Sequence, residues 1–343
     1  MDLLNNKSIL ILSVKFFNYE NLIKEELTQM GAYVDIYDER PSNSFLSKVV
    51  IRLKKDLYRT SIKRYYEKLM EKLQFKSYDY FLLIKGEAIP SFFIDFLREN
   101  NENIKMIYYT YDSFKNNKNG LNNLHLFDSS YTFDRKDAIS YGINFRPLFF
   151  AGDYASLYRE RDDLKYTVAF IGTAHSDRYS ISERVRQWCE SNGKNMFAFY
   201  FSPSELLFYI NRLIKKSFRG FRIRHISFHS LSHLEIKEIY RRSVAILDIN
   251  HPDQDGLTMR TFETLGAGRK LITTNPNIKK YPFYNTQNVM IIDREQVDFD
   301  PAFFETEFLN FEPQLYAAMS LRGWLEEVFD LRKSNYWEKV LKD

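Results

Sequence analysis

Cysteine occurs once in the 343 residues, at Cys189. A lone thiol closes no disulfide within the chain and assembles no cysteine-based metal site, and such sparing use fits a reducing compartment. Glycine (12) and proline (9) are also scarce, which excludes collagen-like and low-complexity classes. No window approaches the length of apolar run that a membrane span needs. The opening MDLLNNKSILILSVKFF has neither a basic n-region nor the long apolar stretch of a secretory signal, so the cytoplasm is the expected compartment. A dominant charge is missing too. Lys+Arg 49 against Asp+Glu 45 leaves +4, too weak a basic footprint for a dedicated nucleic-acid binder. What is plentiful is apolar and aromatic side chain, 44% and 17% of the chain. A chain this long exceeds what one core commonly holds and predicts two domains.

Continuous apolar runs alternate with longer amphipathic stretches. The runs are SILILSV (8–14), AYVDIYD (32–38), DYFLLIKG (79–86), IKMIYYT (104–110) and SYTF (130–133), then YTVAFIG (166–172), NMFAFYF (195–201), RHISF (224–228), VAILDIN (244–250), KLITT (270–274) and NVMII (288–292). Helix-like segments lie at 19–30, 46–74, 91–99, 135–141, 176–191, 203–217, 233–242 and 258–267. Such alternation, twice over, predicts an α/β protein of two tandem doubly wound, Rossmann-like domains. The polar stretch AGDYASLYRERDDLKY sets the expected boundary, giving domains 1–155 and 156–320, with a helical tail 321–343 that can pack back on the N-terminal domain. Ligands of such sheets bind beyond the carboxyl ends of the strands. The loops to watch are therefore 13–17, 85–89, 111–114, 172–178, 228–231, 250–259 and 273–276.

HPDQDGLTMRTFETLGAGRKLITTN (251–275) is the most informative segment. A helix over 258–267 would aim its N-terminus at the ligand end of the sheet, an anion site of free N–H groups and a positive dipole. Asp255, Gly256, Leu257 and Thr258 lead into it, and glycine lets the backbone come close to a phosphate. Arg260 adds a cation. Glu263, three residues on, can accept hydrogen bonds from vicinal ribose hydroxyls. The same residues also fit a capped, solvated helix closed by Gly268. Gly172, Thr173, His175 and Arg178 form a second strand-to-helix constellation, with Arg178 as a diphosphate clamp. Phe228 opens a loop that could meet a nucleobase through its backbone, and Ser232 with Glu235 suits the start of a helix near His233. DQD (253–255) imitates a metal motif but also reads as loop acids, and no metal is expected. Neither a P-loop nor a G-x-S-x-G elbow occurs.

The 251–275 segment resembles the donor-binding signature of GT-B glycosyltransferases, especially bacterial enzymes of capsule and lipopolysaccharide assembly. Asp255 and Glu263 stand eight apart, as the two acids of the family's E-x7-E version do, with Asp in place of the first Glu. AFIGTAHSDR (169–178) is similar to the first strand and loop of the family's donor domain, and FDSSYTFDRKDAISYGINFRPLFF (127–150) to the end of its acceptor domain. The resemblance implies a hexosyl transfer from a nucleotide-diphosphate sugar, a UDP-sugar first, to a hydroxyl of a surface-polysaccharide or lipopolysaccharide acceptor. It implies donor on the second domain, acceptor on the first, and neither metal nor separate cofactor. A non-catalytic sugar-nucleotide-binding or scaffold subunit, or a GT-B-fold epimerase or phosphorylase, would share the pattern.

On the acceptor side, Asp112 ends a buried strand and is the candidate general base, with Glu87 next. Asp134 and Asp137 bracket a helix start and suit capping. Two basic stretches, 48–76 and 211–225, could dock on an anionic membrane surface, for a glycan or lipid-linked glycan acceptor; each also reads as a solvated helix face.

Overall fold

A computed structural model describes residues 3–15, 17–42, 58–158, 160, 163–215, 218, 220–252 and 254–342. The chain divides into two compact units, Met1–Pro147 with Leu321–Asp343, and Leu148–Ser320. Each is built on a six-stranded sheet, and every strand pair is parallel.

In the first unit, β1 (Ser8–Ser13), β2 (Tyr33–Asp38), β3 (Tyr80–Ile84), β4 (Lys105–Thr110), β5 (Ser129–Thr132) and β6 (Asn144–Phe145) lie in the order β2-β1-β3-β4-β5-β6. The runs are apolar without alternation because parallel strands are covered on both faces; YFLLI of β3 is buried at every position. Tyr66, Phe93 and Leu69 from the flanking helices close over Leu10, Phe81 and Tyr108. The expected helix 46–74 is observed as Arg59–Leu73, and its first part lies outside the described residues. Asp134 caps Arg135–Tyr141 by accepting from the amides of Lys136 and Asp137, while the Asp137 carboxylate accepts from Phe114 N. The C-terminal helix Leu321–Val328 packs in this unit, with Trp324 edge-on to Tyr109 at 4.6 Å.

In the second unit, β7 (Tyr166–Thr173), β8 (Met196–Phe201), β9 (Ile226–Ser227), β10 (Ser243–Asp248), β11 (Lys270–Thr273) and β12 (Val289–Ile291) run in the order β12-β11-β10-β7-β8-β9. RHISF contributes two strand residues, because 223–225 turns as a 3-10 helix. The second unit begins at 148, earlier than the sequence suggested. Phe150 is the reason: its ring packs against the backbone of Gly266, and it pairs with Ser320 in an isolated parallel bridge. The helix Met259–Gly266 then stops at Gly268. That residue takes φ +64°, with Gly268 N donating to Leu265 O and Arg269 N to Thr264 O. This is the paired ending that a left-handed glycine permits.

A Cβ on Gly266 would stand 2.3 Å from Phe150 Cγ. Gly266→Ala should therefore destabilise the protein by roughly 1–3 kcal/mol, read as a lower urea midpoint. An unchanged midpoint would show that the Phe150 ring yields at no cost.

Candidate functional site

In the second sheet the connections reverse direction between β7 and β10, the switch point beside which open α/β sheets bind their ligands. The chemistry-bearing residues of 172–178 and 248–263 come from the ends of these two strands. Asp248, last residue of β10, is 1% exposed. Its Oδ2 accepts from Thr258 Oγ1 (2.6 Å) and Thr261 Oγ1 (2.9 Å), and its Oδ1 lies 3.5 Å from Arg260 Nη1. A buried carboxylate needs such partners, and here they are the N-cap and first turn of the helix Met259–Gly266. Thr258, the N-cap, makes no side-chain bond to the helix amides. Its hydroxyl is committed to Asp248, so the positive pole of the helix is fixed at the end of β10.

Arg178 opens the helix that follows β7. Its Nε donates to Ile249 O (3.0 Å) and its Nη1 to Thr173 Oγ1 (2.8 Å), tying the two strand ends together. Arg294, just after β12, donates to Asp177 Oδ2 (2.6 Å) and to Asn250 O and Oδ1. Burial, and then Arg260, pulls the Arg178 guanidinium down to about 10. Burial, Arg178 and His251 hold the His175 imidazole down to about 3, so it stays neutral at physiological pH. Burial is the larger cause of both shifts, and the neighbouring cations add to it. His175 and His251 face each other with ring centres 5.8 Å apart.

The loop after β10 is pinned along its length. Asn250 Nδ2 donates to the carbonyls of His251 and Gln254, and Thr274 Oγ1 donates to Asn250 Oδ1. Asn277 Nδ2 donates to Asp255 Oδ1 at 2.9 Å, and Asn275 Nδ2 to Asp255 O at 3.1 Å. Gly256 and Leu257 are buried. Asp253 lies outside the described residues, and among those described no group of three or more His, Cys, Asp or Glu could hold a metal. Glu263 is 7% exposed, and its charge reaches His233 and Tyr240. The pair with Asp153 raises the His233 imidazole. Ser232 and Glu235 form the expected capping box.

Three of the expected site residues make structural contacts. Gly172 is a strand residue, and the space over it is filled by the Phe170 ring, 2.7 Å from where a Cβ would stand. Its smallness leaves room for that ring. Phe228 turns its ring to Phe208, packing against the unit's core. Glu87, in the first unit, is 1% exposed, with Arg40 on Oε2 and Lys85 on Oε1 (3.0 Å). Both oxygens are held, so it is a structural carboxylate and not a base.

Glu87 belongs to a buried charge cluster at the first sheet's own switch point, between β1 and β3. Lys85 has φ +87°, an unusual conformation for a side chain of this kind. Its carbonyl accepts from Tyr108 OH and Asn117 Nδ2, and its Nζ reaches Asp112 Oδ2 at 3.2 Å. Glu39 accepts from the amides of Gly86 and Ala88, and burial pushes its carboxyl up to about 7. Asp112 is half-buried two residues beyond the end of β4, where the sequence had it ending the strand. Sequence reasoning missed Asp248, Arg294, Glu39 and Arg40. Asp248 ends a strand as Asp112 nearly does, so the positional rule that found one applied to the other.

No family model matches the chain, and no curated protein matches it. Solved structures do. OtsA in its apo form aligns with a TM-score of 0.64 at 10% identity, covering 96% of this chain and 100% of that one. Anabaena HepE in complex with UDP and glucose gives 0.54 at 9% identity, over 95% and 99%. An alpha-glucosyltransferase in complex with UDP and a mismatched DNA gives 0.53 at 10% identity, over 98% and 94%. The chain has the GT-B fold. These alignments cover 95–98% of the chain.

The His175 shift has a pH consequence. Above its ordinary value of 6.5, folded and unfolded chains both carry a neutral imidazole. Below it the unfolded chain gains a proton that the folded one refuses, so stability falls as pH drops from 6.5 toward about 3. His175→Asn should flatten that part of the melting temperature against pH curve. Parallel curves for variant and wild type would remove His175 from the acid response.

Proposed function

We propose that the protein is a glycosyltransferase that takes a nucleotide-diphosphate sugar, a UDP-sugar first, and moves its sugar to a hydroxyl of a surface-polysaccharide or lipopolysaccharide acceptor. The observation that carries this is the cationic switch point of the second unit, where Arg178, Arg260 and a helix N-terminus without a side-chain cap surround the ends of β7 and β10. Two proteins of the same fold, the alpha-glucosyltransferase and HepE, are described in complex with UDP, and HepE also with UDP-glucose.

In this reading the acceptor oxygen forms a bond to the anomeric carbon as the bond from that carbon to the diphosphate breaks. The electron pair leaves on the diphosphate, and the acceptor proton passes to a base. Arg178, Arg260 and the helix amides stabilise the developing charge in a partly dry setting, where fixed dipoles and cations count most. That is the task a metal performs elsewhere, so transfer should persist in EDTA. Glu263 binds the ribose hydroxyls and Thr173, His175, Asp255, Gly256, Leu257 and Thr258 shape the donor site. Asp112 is the base, held in place by Lys85. An anionic membrane surface is where the acceptor is met.

A hydrogen bond to a charged group contributes roughly 1.5–3 kcal/mol, so Glu263→Ala should weaken UDP binding about tenfold or more in calorimetry. Unchanged affinity in a folded variant would take Glu263 out of the site. Transfer of a labelled UDP-sugar tests the activity itself: UDP binding with no transfer or hydrolysis would make the protein a binding subunit. Asp112→Asn should lower turnover by about 10²–10⁴-fold with UDP affinity nearly intact. Full turnover by that variant would leave Asp112 as a turn residue paired with Lys85.

A further inference from the structure

The helix Glu205–Ile214 of the second unit is amphipathic in the reverse sense. Ser204 caps it, and Phe208 is fully buried, its ring against Phe218, Phe221 and Phe228. The other residues on that inward side, Leu207, Asn211 and Arg212, are half-buried. The opposite side is more apolar than the inward one. Leu206 is 71% exposed, Tyr209 41%, Ile210 40%, Leu213 78% and Ile214 73%. Positions 206, 209, 210, 213 and 214 fall on one stripe of a helix. Exposed apolar residues scattered singly are ordinary, whereas a contiguous stripe marks an interaction surface.

The charges around the stripe say what covers it. Residues 211–225 carry Arg212, Lys215, Lys216, Arg219, Arg222 and Arg224 and no acid. Lys215, Arg222 and Arg224 are exposed, as is Ile223. The helix's single acid, Glu205, stands at its start, away from this basic end. We propose that Glu205–Ile214 docks on an anionic bilayer, lying in the plane of the headgroups. Leu206, Tyr209, Ile210, Leu213 and Ile214 enter the acyl boundary, and the exposed cations Lys215, Arg222 and Arg224 rest on the lipid phosphates. Ten residues make a helix of about 15 Å, suited to lying in the interface and too short to cross it. Basic side chains beside an aliphatic stripe match anionic headgroups above acyl chains, layer for layer. This inference deepens the membrane part of the proposed function and does not depend on sugar transfer.

The test uses the full chain and phosphatidylcholine vesicles with and without phosphatidylglycerol, followed by co-flotation. Wild type should float with the anionic vesicles and keep part of that binding in high salt, since insertion is not screened as charge is. The double variant Leu213→Asn, Ile214→Asn should lower the partition coefficient by about tenfold or more. These side chains are exposed, so circular dichroism and UDP-induced thermal shift should match wild type. Tyr209→Trp supplies a probe whose emission should shift to the blue on anionic vesicles. Failure of wild type to float, equal binding to neutral vesicles, or equal binding by the double variant would each overturn the inference. The last result, with full release by salt, would transfer docking to 48–76. A dimer of wild type that the double variant abolishes would overturn it in favour of a second copy of the chain. Absence of UDP binding alongside normal flotation would strike the proposed activity and leave this inference standing.

Discussion

The Asp248 carboxylate is the constraint on which the second unit's site depends. A charge buried to that degree costs several kcal/mol unless it is paired and hydrogen-bonded, and Asp248 meets the cost with Thr258, Thr261 and Arg260. Those partners come from the N-cap and first turn of one helix, so satisfying the carboxylate also sets where that helix begins and which way Arg260 reaches. Arg178, bonded to Ile249 O one residue beyond Asp248, carries the same restraint across to β7. A strand end, two loops and two helix starts are thus fixed by one interior negative charge. The positive groups around it exceed what that charge neutralises.

The first unit uses the same device for a different result. Arg40, Glu87, Lys85 and Asp112 alternate in sign, with Glu39 beside them, around a backbone turn that Lys85 enters with positive φ. Here three carboxylates face two cations, and burial pushes one of the carboxyls, Glu39, up to about 7. Strain of this kind persists when its surroundings over-determine it, and the surroundings are visible: two donors on the Lys85 carbonyl and a carboxylate across the amides of Gly86 and Ala88. The first cluster carries an excess of acids and the second, with Arg178, Arg260 and Arg294 around Asp248 and Asp177, an excess of cations.

Much of the architecture was legible because parallel strands covered on both faces cannot alternate. YFLLI and VAILD announce themselves as buried runs, and the helices between them follow the 3.6-residue period. Local chemistry was legible as well: Ser232 with Glu235, and Asp134 before its helix, act through neighbours three residues away or fewer. What could not be read were contacts made at long separation. Nothing in the composition of 148–155 says that Phe150 will lie on Gly266, and nothing near Gly172 says that Phe170 will fold over it. Glu87 looked available because one cationic partner, Arg40, is distant in sequence, and the other, Lys85, lies two residues away in a turn whose geometry the sequence does not show. The apolar side of Glu205–Ile214 was visible as a periodic pattern, but a periodic pattern normally marks the face that is buried, and the direction it faces is decided by Phe208 and the aromatic rings it meets.

The return of the chain to its first unit has a temporal meaning. Tyr109 lies edge-on to Trp324, and Tyr80 to Phe329, so two strands laid down early are covered by residues placed after the whole of Leu148–Ser320. At a synthesis rate of about 5–20 residues per second, those faces wait roughly 10–40 s for their cover. During that interval the nascent first sheet presents aromatic surface to whatever is near the ribosome, while the second unit, continuous in sequence, can close as soon as it emerges. Birth order and folding order are therefore inverted: the half that starts the chain is the half that finishes last.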